Sequence, residues 1–199
     1  MFSDYLGLVC IHIDFSNTHM VNNMLKKFIL FISVLFLTGC SGVDVRQYAA
    51  NKPVLDLHDY FMGQTKGWGI VQDRKGNVTR QFVVDIVGKT DEAGNLVLEE
   101  DFVWSDGEIS RRVWTIARSD QHTYMGRAAD VVGQAGGLAY GNALNWSYDL
   151  QLDIDGSQWV IHFDDWMFLQ PDGILLNRAE MSKFGIRVGE VTISFSKKF

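Results

Sequence analysis

The sequence is poor in cysteine and proline, with two residues of each among 199. It contains no long run of one charge, and its formal net charge is −6. An acidic chain of this kind is a poor partner for nucleic acid, because phosphate binding needs a basic face. Its apolar segments also fall short of the roughly 20 residues that a membrane-spanning helix needs.

Histidine and cysteine do not form a pattern typical of a metal site. His58, His122 and His162 lie far apart in the sequence, and none has the spacing of a zinc ligand set. The Gly-x-Ser-x-Gly turn that carries the nucleophile of many hydrolases is also missing. The sequence therefore predicts no metal, no cofactor and no assigned catalytic residue.

Apolar and aromatic residues, by contrast, are plentiful. Hydrophobic residues make up 47% of the chain, and aromatic residues make up 13%, with six tryptophans. This composition is enough for the core of one ordinary domain. Large flat side chains at this frequency indicate an aromatic core, a cavity lining or a membrane-facing surface.

Residues 24–39 have the order of features found in an export signal. Lys26 and Lys27 supply a positive start, and Phe28–Leu37 follows as an apolar stretch of ten residues. This length is typical of a signal segment and is too short to span a bilayer. The segment ends in Leu37–Cys40, which resembles the lipobox of bacterial lipoproteins.

Cys40 is therefore predicted to be the cleavage point and the site of lipidation, which makes a membrane the first partner. Each buried methylene contributes about 0.8 kcal/mol, so two or three acyl chains hold a protein on a bilayer essentially permanently. Residues 40–55 are interpreted as a lipidated tether. By resemblance to lipoproteins of two-membrane bacteria, Ser41 favours the outer membrane, facing the periplasm. Residues 1–23 lack Lys and Arg, which indicates an over-long gene start before Met24.

Residues 56–199 show the two-residue alternation that is typical of β-strands. Phe82, Val84 and Ile86 share one face of one run, and similar runs recur between short turns rich in Gly, Asp and Asn. We expect about eight to ten strands in this region. The pattern predicts an all-β domain, an antiparallel up-and-down meander that closes into a barrel, because closure removes exposed strand edges.

One glycine-rich stretch, Gly133–Gly141, interrupts this pattern. It holds four glycines in nine residues, and such a composition is unfavourable inside a strand or a helix. We interpret it as a flexible crossover loop. The alternative is a lid or mouth that a ligand passes, where small residues let another surface approach closely.

The most conspicuous polar group is the pair Asp164 and Asp165. In a strand these two carboxylates point to opposite faces, so they do not form a paired acid–base site by themselves. If the apolar residues before the pair face inward, Asp165 does too, and it needs a partner such as Arg178 or Arg112. Two interpretations stay open: a structural ion pair, and recognition of a polar group inside a cavity.

Several longer segments resemble one protein family. These segments are Gly141–Tyr148, Phe163–Met167, Asn177–Arg178 and Met181–Gly185. They are similar to the DUF3833 family of proteobacterial lipoproteins, and the resemblance covers the whole mature domain. It implies a lipocalin-like, calycin-type barrel in the cell envelope, and an association with genes that modify fatty acyl chains. The Gly-Trp-Gly around Trp68 is similar to the opening of lipocalin-like barrels.

Together these features predict a membrane-anchored barrel that binds a lipid or another apolar small molecule. The candidate ligand-binding residues are Trp68, Trp146, Asp165, Trp166 and Arg178. Two further hypotheses stay open. One is a lipid-modifying enzyme with Asp165, Arg178 or His162 in its site, and the other is a structural or assembly factor with a filled barrel.

Overall fold

Ten antiparallel strands close into a barrel, which confirms the predicted all-β, up-and-down fold. The strands are β1 Gly63–Asp73, β2 Val78–Thr90, β3 Leu96–Trp104, β4 Ile109–Arg118, β5 Thr123–Arg127, β6 Ala135–Tyr140, β7 Ala143–Ile154, β8 Ser157–Leu169, β9 Leu175–Lys183 and β10 Ile186–Ser196. Each strand pairs with its sequence neighbours, and β1 pairs with β10. The closed ladder leaves no free sheet edge.

The computed structural model describes residues 42–154 and 156–199. The predictions for residues 1–41, which include the gene start, the signal segment and lipidation of Cys40, lie outside this range. Within the part described, no helix is both long enough and apolar enough to cross a membrane.

Aspartate and glycine set the hairpin turns, as the composition of the turns predicts. In the β2–β3 turn, the Asp91 carboxylate accepts hydrogen bonds from the backbone N–H groups of Ala93 and Asn95 at 2.9 and 2.8 Å. Gly94 in the same turn has a φ of +83°, a conformation that glycine adopts without steric cost. The β1–β2 turn repeats this arrangement around Asp73.

A short helix, α1 (Leu57–Phe61), covers one end of the barrel. The Asp56 carboxylate caps its N-terminus by accepting the backbone N–H of His58 at 2.9 Å. Leu57 and Phe61 are each 3% exposed and belong to the main core. The Tyr60 hydroxyl donates to backbone carbonyl groups of the barrel. We call this the closed end.

Part of the segment predicted as a tether is folded against the barrel. Residues 45–48 form a 3-10 helix in which Val45 is buried. The Tyr48 ring packs edge-on against Trp166 and Phe168, on the outer face of β8. Apolar contacts therefore fix the chain from about Asp44 onward, before the predicted start of the domain.

The glycine-rich stretch is not a crossover loop or a lid, because its centre forms β6. Its glycines make room for a large ring. A Cβ atom on Gly137 would lie 2.2 Å from the Trp146 ring, and one on Gly126 of β5 would lie 2.5 Å from it. The loss of strand propensity at these glycines is offset by close packing of one indole.

Candidate functional site

The two ends of the barrel differ in how far the inward side chains are covered. Near α1, the inward residues Ile86, Leu96 and Leu175 are at most 2% exposed. At the opposite, open end, which carries the β1–β2, β3–β4, β7–β8 and β9–β10 turns, inward side chains keep accessible surface. We call this half of the barrel the cup. Its half-buried inward residues include Val71, Glu100, Phe102, Trp104, Arg112, Tyr148, Met181 and Val191.

A group of polar side chains, which we call the polar cluster, lies among the apolar residues of the cup, from its floor to its wall. Its members are Glu100, Arg112, Asp130, Tyr148, Asp165 and Asn177. Asp165 is 5% exposed. One of its oxygens accepts the Tyr148 hydroxyl at 2.8 Å, and the other accepts the Asn177 amide at 2.6 Å. Asp165 is therefore held by two neutral donors.

The guanidinium of the cluster serves a different carboxylate. Arg112 donates from Nε and Nη2 to Oδ2 of Asp130, at 3.0 and 2.6 Å. The Arg112 guanidinium also lies 6.0 Å from the centre of the Phe102 ring. Across the residues that the structure describes, no group of three His, Cys, Asp or Glu side chains has the geometry to hold a metal ion.

Burial changes the protonation of the cluster. Desolvation raises the pKa of Glu100 to about 7, against the opposing attraction of Arg112. Desolvation also raises the pKa of Asp165, although the hydrogen bonds from Asn177 and Tyr148 act in the opposite direction. Tyr148 stacks face to face on Phe163 with ring centres 5.2 Å apart. The cluster thus holds a carboxyl with a pKa near neutral close to the Tyr148 side chain.

Two of the five predicted ligand-binding residues face the barrel interior. Asp165 belongs to the polar cluster, and Trp146 is 4% exposed. The Trp146 ring packs edge-on against Trp114, with 5.9 Å between ring centres. Because other side chains enclose it, Trp146 supports the accessible residues of the cup and is not itself exposed there.

The other three lie on the outer face, where a ligand inside the barrel would not contact them. Trp68 is 44% exposed, and Trp166 packs under the 3-10 helix. Arg178 pairs with Glu190 at 2.6 Å. The expectation that Arg178 faces Asp165 is corrected by the register of β8 and β9, which sets Asp165 beside Ala179 and therefore turns Arg178 outward.

A Ser–His–Asp arrangement also lies on the outer face. His162 Nδ1 is 2.8 Å from the Asp149 carboxylate, and His162 Nε2 is 3.4 Å from the Ser147 hydroxyl. These contacts have the order of a nucleophile, a base and an orienting acid. The side chains of His162 and Asp149 are about half exposed, and they lie on paired strands whose backbone N–H groups are used in the ladder. The paired backbone N–H groups of these two strands are therefore not free to stabilise an oxyanion beside Ser147.

A surface groove of about 500 Å³ lies outside the barrel, beside the closed end. Lys197 on its wall donates to the backbone carbonyl groups of Tyr60 and Met62. Lys197 thus ties the C-terminal end of the chain to α1, and Lys198 lines the same groove. The groove is better explained as the junction of these segments than as a ligand site.

The alternation of apolar residues in the sequence also indicates that Glu100 and Tyr148 face inward, although neither was predicted as a site residue. Leu96, Leu98 and Glu100 are spaced by two, so Glu100 shares the inward face of β3. The same spacing from Trp146 places Tyr148 inward on β7. No local pattern reveals that Arg112 meets Asp130, because Asp130 lies in the connection between β5 and β6.

The family described as "Protein of unknown function (DUF3833)" matches residues 34–197. The chain belongs to this family. No curated protein matches the sequence. The DUF3833 match begins before the described residues and ends within two residues of Phe199, so it includes the barrel, the cup and the polar cluster.

Two solved structures share the fold of this DUF3833 protein at low sequence identity. A protein of unknown function of the DUF3598 family from Nostoc punctiforme has a TM-score of 0.53 and 16% identity. The match covers 78% of this chain and 52% of that protein, so this chain spans about half of its length. An S-type phycobiliprotein lyase from Guillardia theta has a TM-score of 0.52 and 7% identity, over 77% and 96% of the two chains. These likenesses concern the fold.

Proposed function

We propose that this protein binds a lipid or another small apolar molecule in the cup, with the polar group of the ligand on the polar cluster. The observation that carries the proposal is the contrast between the two halves of the barrel. Side chains at the closed end are fully buried, whereas inward aromatic and aliphatic side chains of the cup remain accessible. An apolar concave surface with a few convergent polar groups is the usual form of a small-molecule site.

The likeness to the Guillardia theta protein adds support by analogy. That protein is named as a phycobiliprotein lyase, so a barrel of this shape belongs there to a protein that acts on another molecule. Fold alone does not transfer an activity. For the present chain the argument rests on the cup and its polar cluster.

We further propose that the barrel is anchored to the outer membrane, facing the periplasm, through lipid on Cys40. Support comes from the lipobox-like Leu37–Cys40 and from the short link to the folded chain. Four peptide steps separate Cys40 from Asp44, which span at most about 14 Å. A lipidated protein would therefore hold its barrel close to the bilayer surface. Mass spectrometry of the N-terminal peptide tests this proposal, and an unmodified Cys40 in membrane-purified protein would contradict it.

The ligand proposal is tested by native mass spectrometry of the purified protein and by titration with dodecanol, a neutral apolar probe. Met181→Lys places a charge on the inward face of β9 and should abolish binding. Leu176→Lys is the matched control, because Leu176 lies on the outer face of the same strand and is 46% exposed. Empty spectra together with no dodecanol binding by the wild type would overturn the proposal and favour a structural role.

One observation favours a second candidate function, an enzyme that modifies its bound lipid. Glu100 has a pKa near the pH at which general acid–base catalysis is most effective, and it is close to Tyr148 and Asp165. Of the residues first considered for such a site, only Asp165 faces the cup. Lipid analysis of cells that carry Asp165→Asn or Glu100→Gln tests this candidate. Lipid composition unchanged from wild type in both strains would remove it.

A further inference from the structure

The polar cluster holds more carboxyl groups than the one cation within it can pair. Glu100, Asp130 and Asp165 face a single guanidinium, that of Arg112. Arg112 directs both Nε and Nη2 at one oxygen of Asp130. Its positive charge is therefore engaged, and two further carboxyl groups remain close to it.

Acceptor atoms in the cluster are also left without donors. Oδ1 of Asp130 is fully buried and accepts no hydrogen bond within the part of the chain that the structure describes. Likewise, no described residue donates to the Glu100 carboxyl, which keeps accessible surface on the cup wall. Asp165 differs, because both of its oxygens have donors. The Glu100 carboxyl is both unpaired and accessible from the cup, so a ligand that supplies N–H groups would be stabilised there.

We infer that the ligand of the cup is a cationic amphiphile, an apolar chain ending in a protonated amine that Glu100 binds. This inference rests on the proposed function, because it assumes that the cup takes an apolar molecule. A free fatty acid would bring a fourth carboxylate to a cluster with one engaged guanidinium. Its negative charge would be repelled by the carboxylates of the cluster, whereas an ammonium supplies three hydrogen-bond donors and a positive charge.

The rim of the cup already shows an ammonium on an aromatic face. Lys183 Nζ lies 3.2 Å from the centre of the Trp159 ring and 5.3 Å from that of Phe184. Also towards the open end, Phe102 and Trp104 are stacked with 5.9 Å between ring centres, and the Arg80 guanidinium lies 4.0 Å from the centre of the Trp104 ring. Aromatic faces attract cations and also pack well against alkyl chains. The rim faces already hold the protein's own cations, so the aromatic wall of the cup suits the alkyl chain of a cationic amphiphile, and its ammonium is left to Glu100.

The surroundings of Glu100 predict how binding depends on pH. Ile86 lies beside it on β2, and Arg112 lies beside it on β4. Asp130, Tyr148 and Asp165 are the other titratable groups that face it. Because the pKa of Glu100 is about 7, its carboxylate form increases about tenfold between pH 6 and pH 8. Amine affinity should rise by a similar factor over this range, while binding of a neutral probe should not.

Three probes of equal chain length test the inference: dodecylamine, dodecanol and laurate. Each is titrated by calorimetry below its micelle concentration into the wild-type protein, Glu100→Gln and Glu99→Gln. Glu99→Gln is the matched control, since Glu99 is the next residue on β3 and pairs with Lys89 and Arg111 on the outer face. Dodecanol binding reports whether each variant keeps an intact cup.

At pH 8 we expect dodecylamine to bind wild type at least tenfold more tightly than laurate. Glu100→Gln should reduce amine affinity about tenfold or more, as for a lost charge-assisted hydrogen bond, and should remove the rise between pH 6 and pH 8. Glu99→Gln should change neither. If laurate binds as tightly as dodecylamine, or if the two variants have equal effects on amine binding, the inference is overturned. Dodecanol binding in that case would still support the proposed function. Failure of all three probes would overturn both.

Discussion

The packing of Trp146 between two glycines yields a sharp prediction about stability. Gly137→Ala would place a Cβ atom 2.2 Å from one ring carbon of Trp146 and 2.8 Å from the next. The ring has little room to yield, because Gly126 supports its other edge, where a Cβ atom would lie 2.5 Å from the ring. Overpacking of a close-packed core costs about 1–3 kcal/mol, and we expect a loss near the upper end of that range.

Gly136→Ala is the control, because a Cβ atom there meets nothing within 4 Å. Removing a glycine from a strand at an open position should stabilise the protein by about 0.5–1 kcal/mol. The two substituted positions are neighbours on β6. The urea midpoints of the two variants should nevertheless differ by roughly 1 M or more, for a typical dependence of the unfolding free energy on urea concentration. Tryptophan fluorescence follows the unfolding.

A double substitution tests the cause of the effect. Trp146→Leu removes the ring that the new methyl group meets, so Gly137→Ala should cost much less in that background than in wild type. The difference is the coupling energy between the two positions. Equal midpoints for Gly137→Ala and Gly136→Ala in the wild-type background would refute the packing of Trp146 described above.

Three further predictions concern the polar residues. Glu100→Gln removes a carboxyl whose pKa is raised from 4.5 to about 7, and the wild type loses stability as pH rises through this window. Between pH 4.5 and pH 8, the free energy of unfolding of the variant in urea should therefore rise by up to about 3 kcal/mol relative to that of the wild type. A difference that stays constant with pH would show that the carboxyl is not buried. Arg112→Met leaves Asp130 without its ion pair, so it should lower the free energy of unfolding by about 2 kcal/mol or more at pH 8, and by less at pH 5, where Glu100 is protonated. An unchanged free energy of unfolding at both pH values would contradict the pairing. Wild type and Ser147→Ala should both resist labelling by a fluorophosphonate, whereas labelling that depends on Ser147 would show that the outer Ser–His–Asp group is reactive.

The fold could be predicted from the sequence because it depends on local, repeated signals. Alternation on β2 and the Asp- and Gly-rich turns at Asp73 and Asp91 specify antiparallel hairpins, and ten strands in sequence favour closure. The same alternation correctly places Asp165 on the inward face of β8.

The site was harder to predict, because it depends on how strands pair with each other. Whether Arg178 meets Asp165 is decided by the register between β8 and β9, and a shift of one residue reverses every side chain. The role of Gly137 depends on a ring from the neighbouring strand, so its composition alone indicated a loop. The Arg112–Asp130 pair joins a strand to a connection 18 residues away.

The location of a bound ligand tests the central claim most directly. Protein labelled with ¹³C at the methionine methyl groups reports on both sides of the barrel, since Met181 faces the cup and Met125, 37% exposed, lies on the outer face of β5. On addition of dodecanol, we expect the Met181 methyl signal to shift and to show contacts with the probe, while the Met125 signal stays unchanged. A saturating shift at Met125 with none at Met181 would show that apolar ligands bind outside the cup, and would contradict the account.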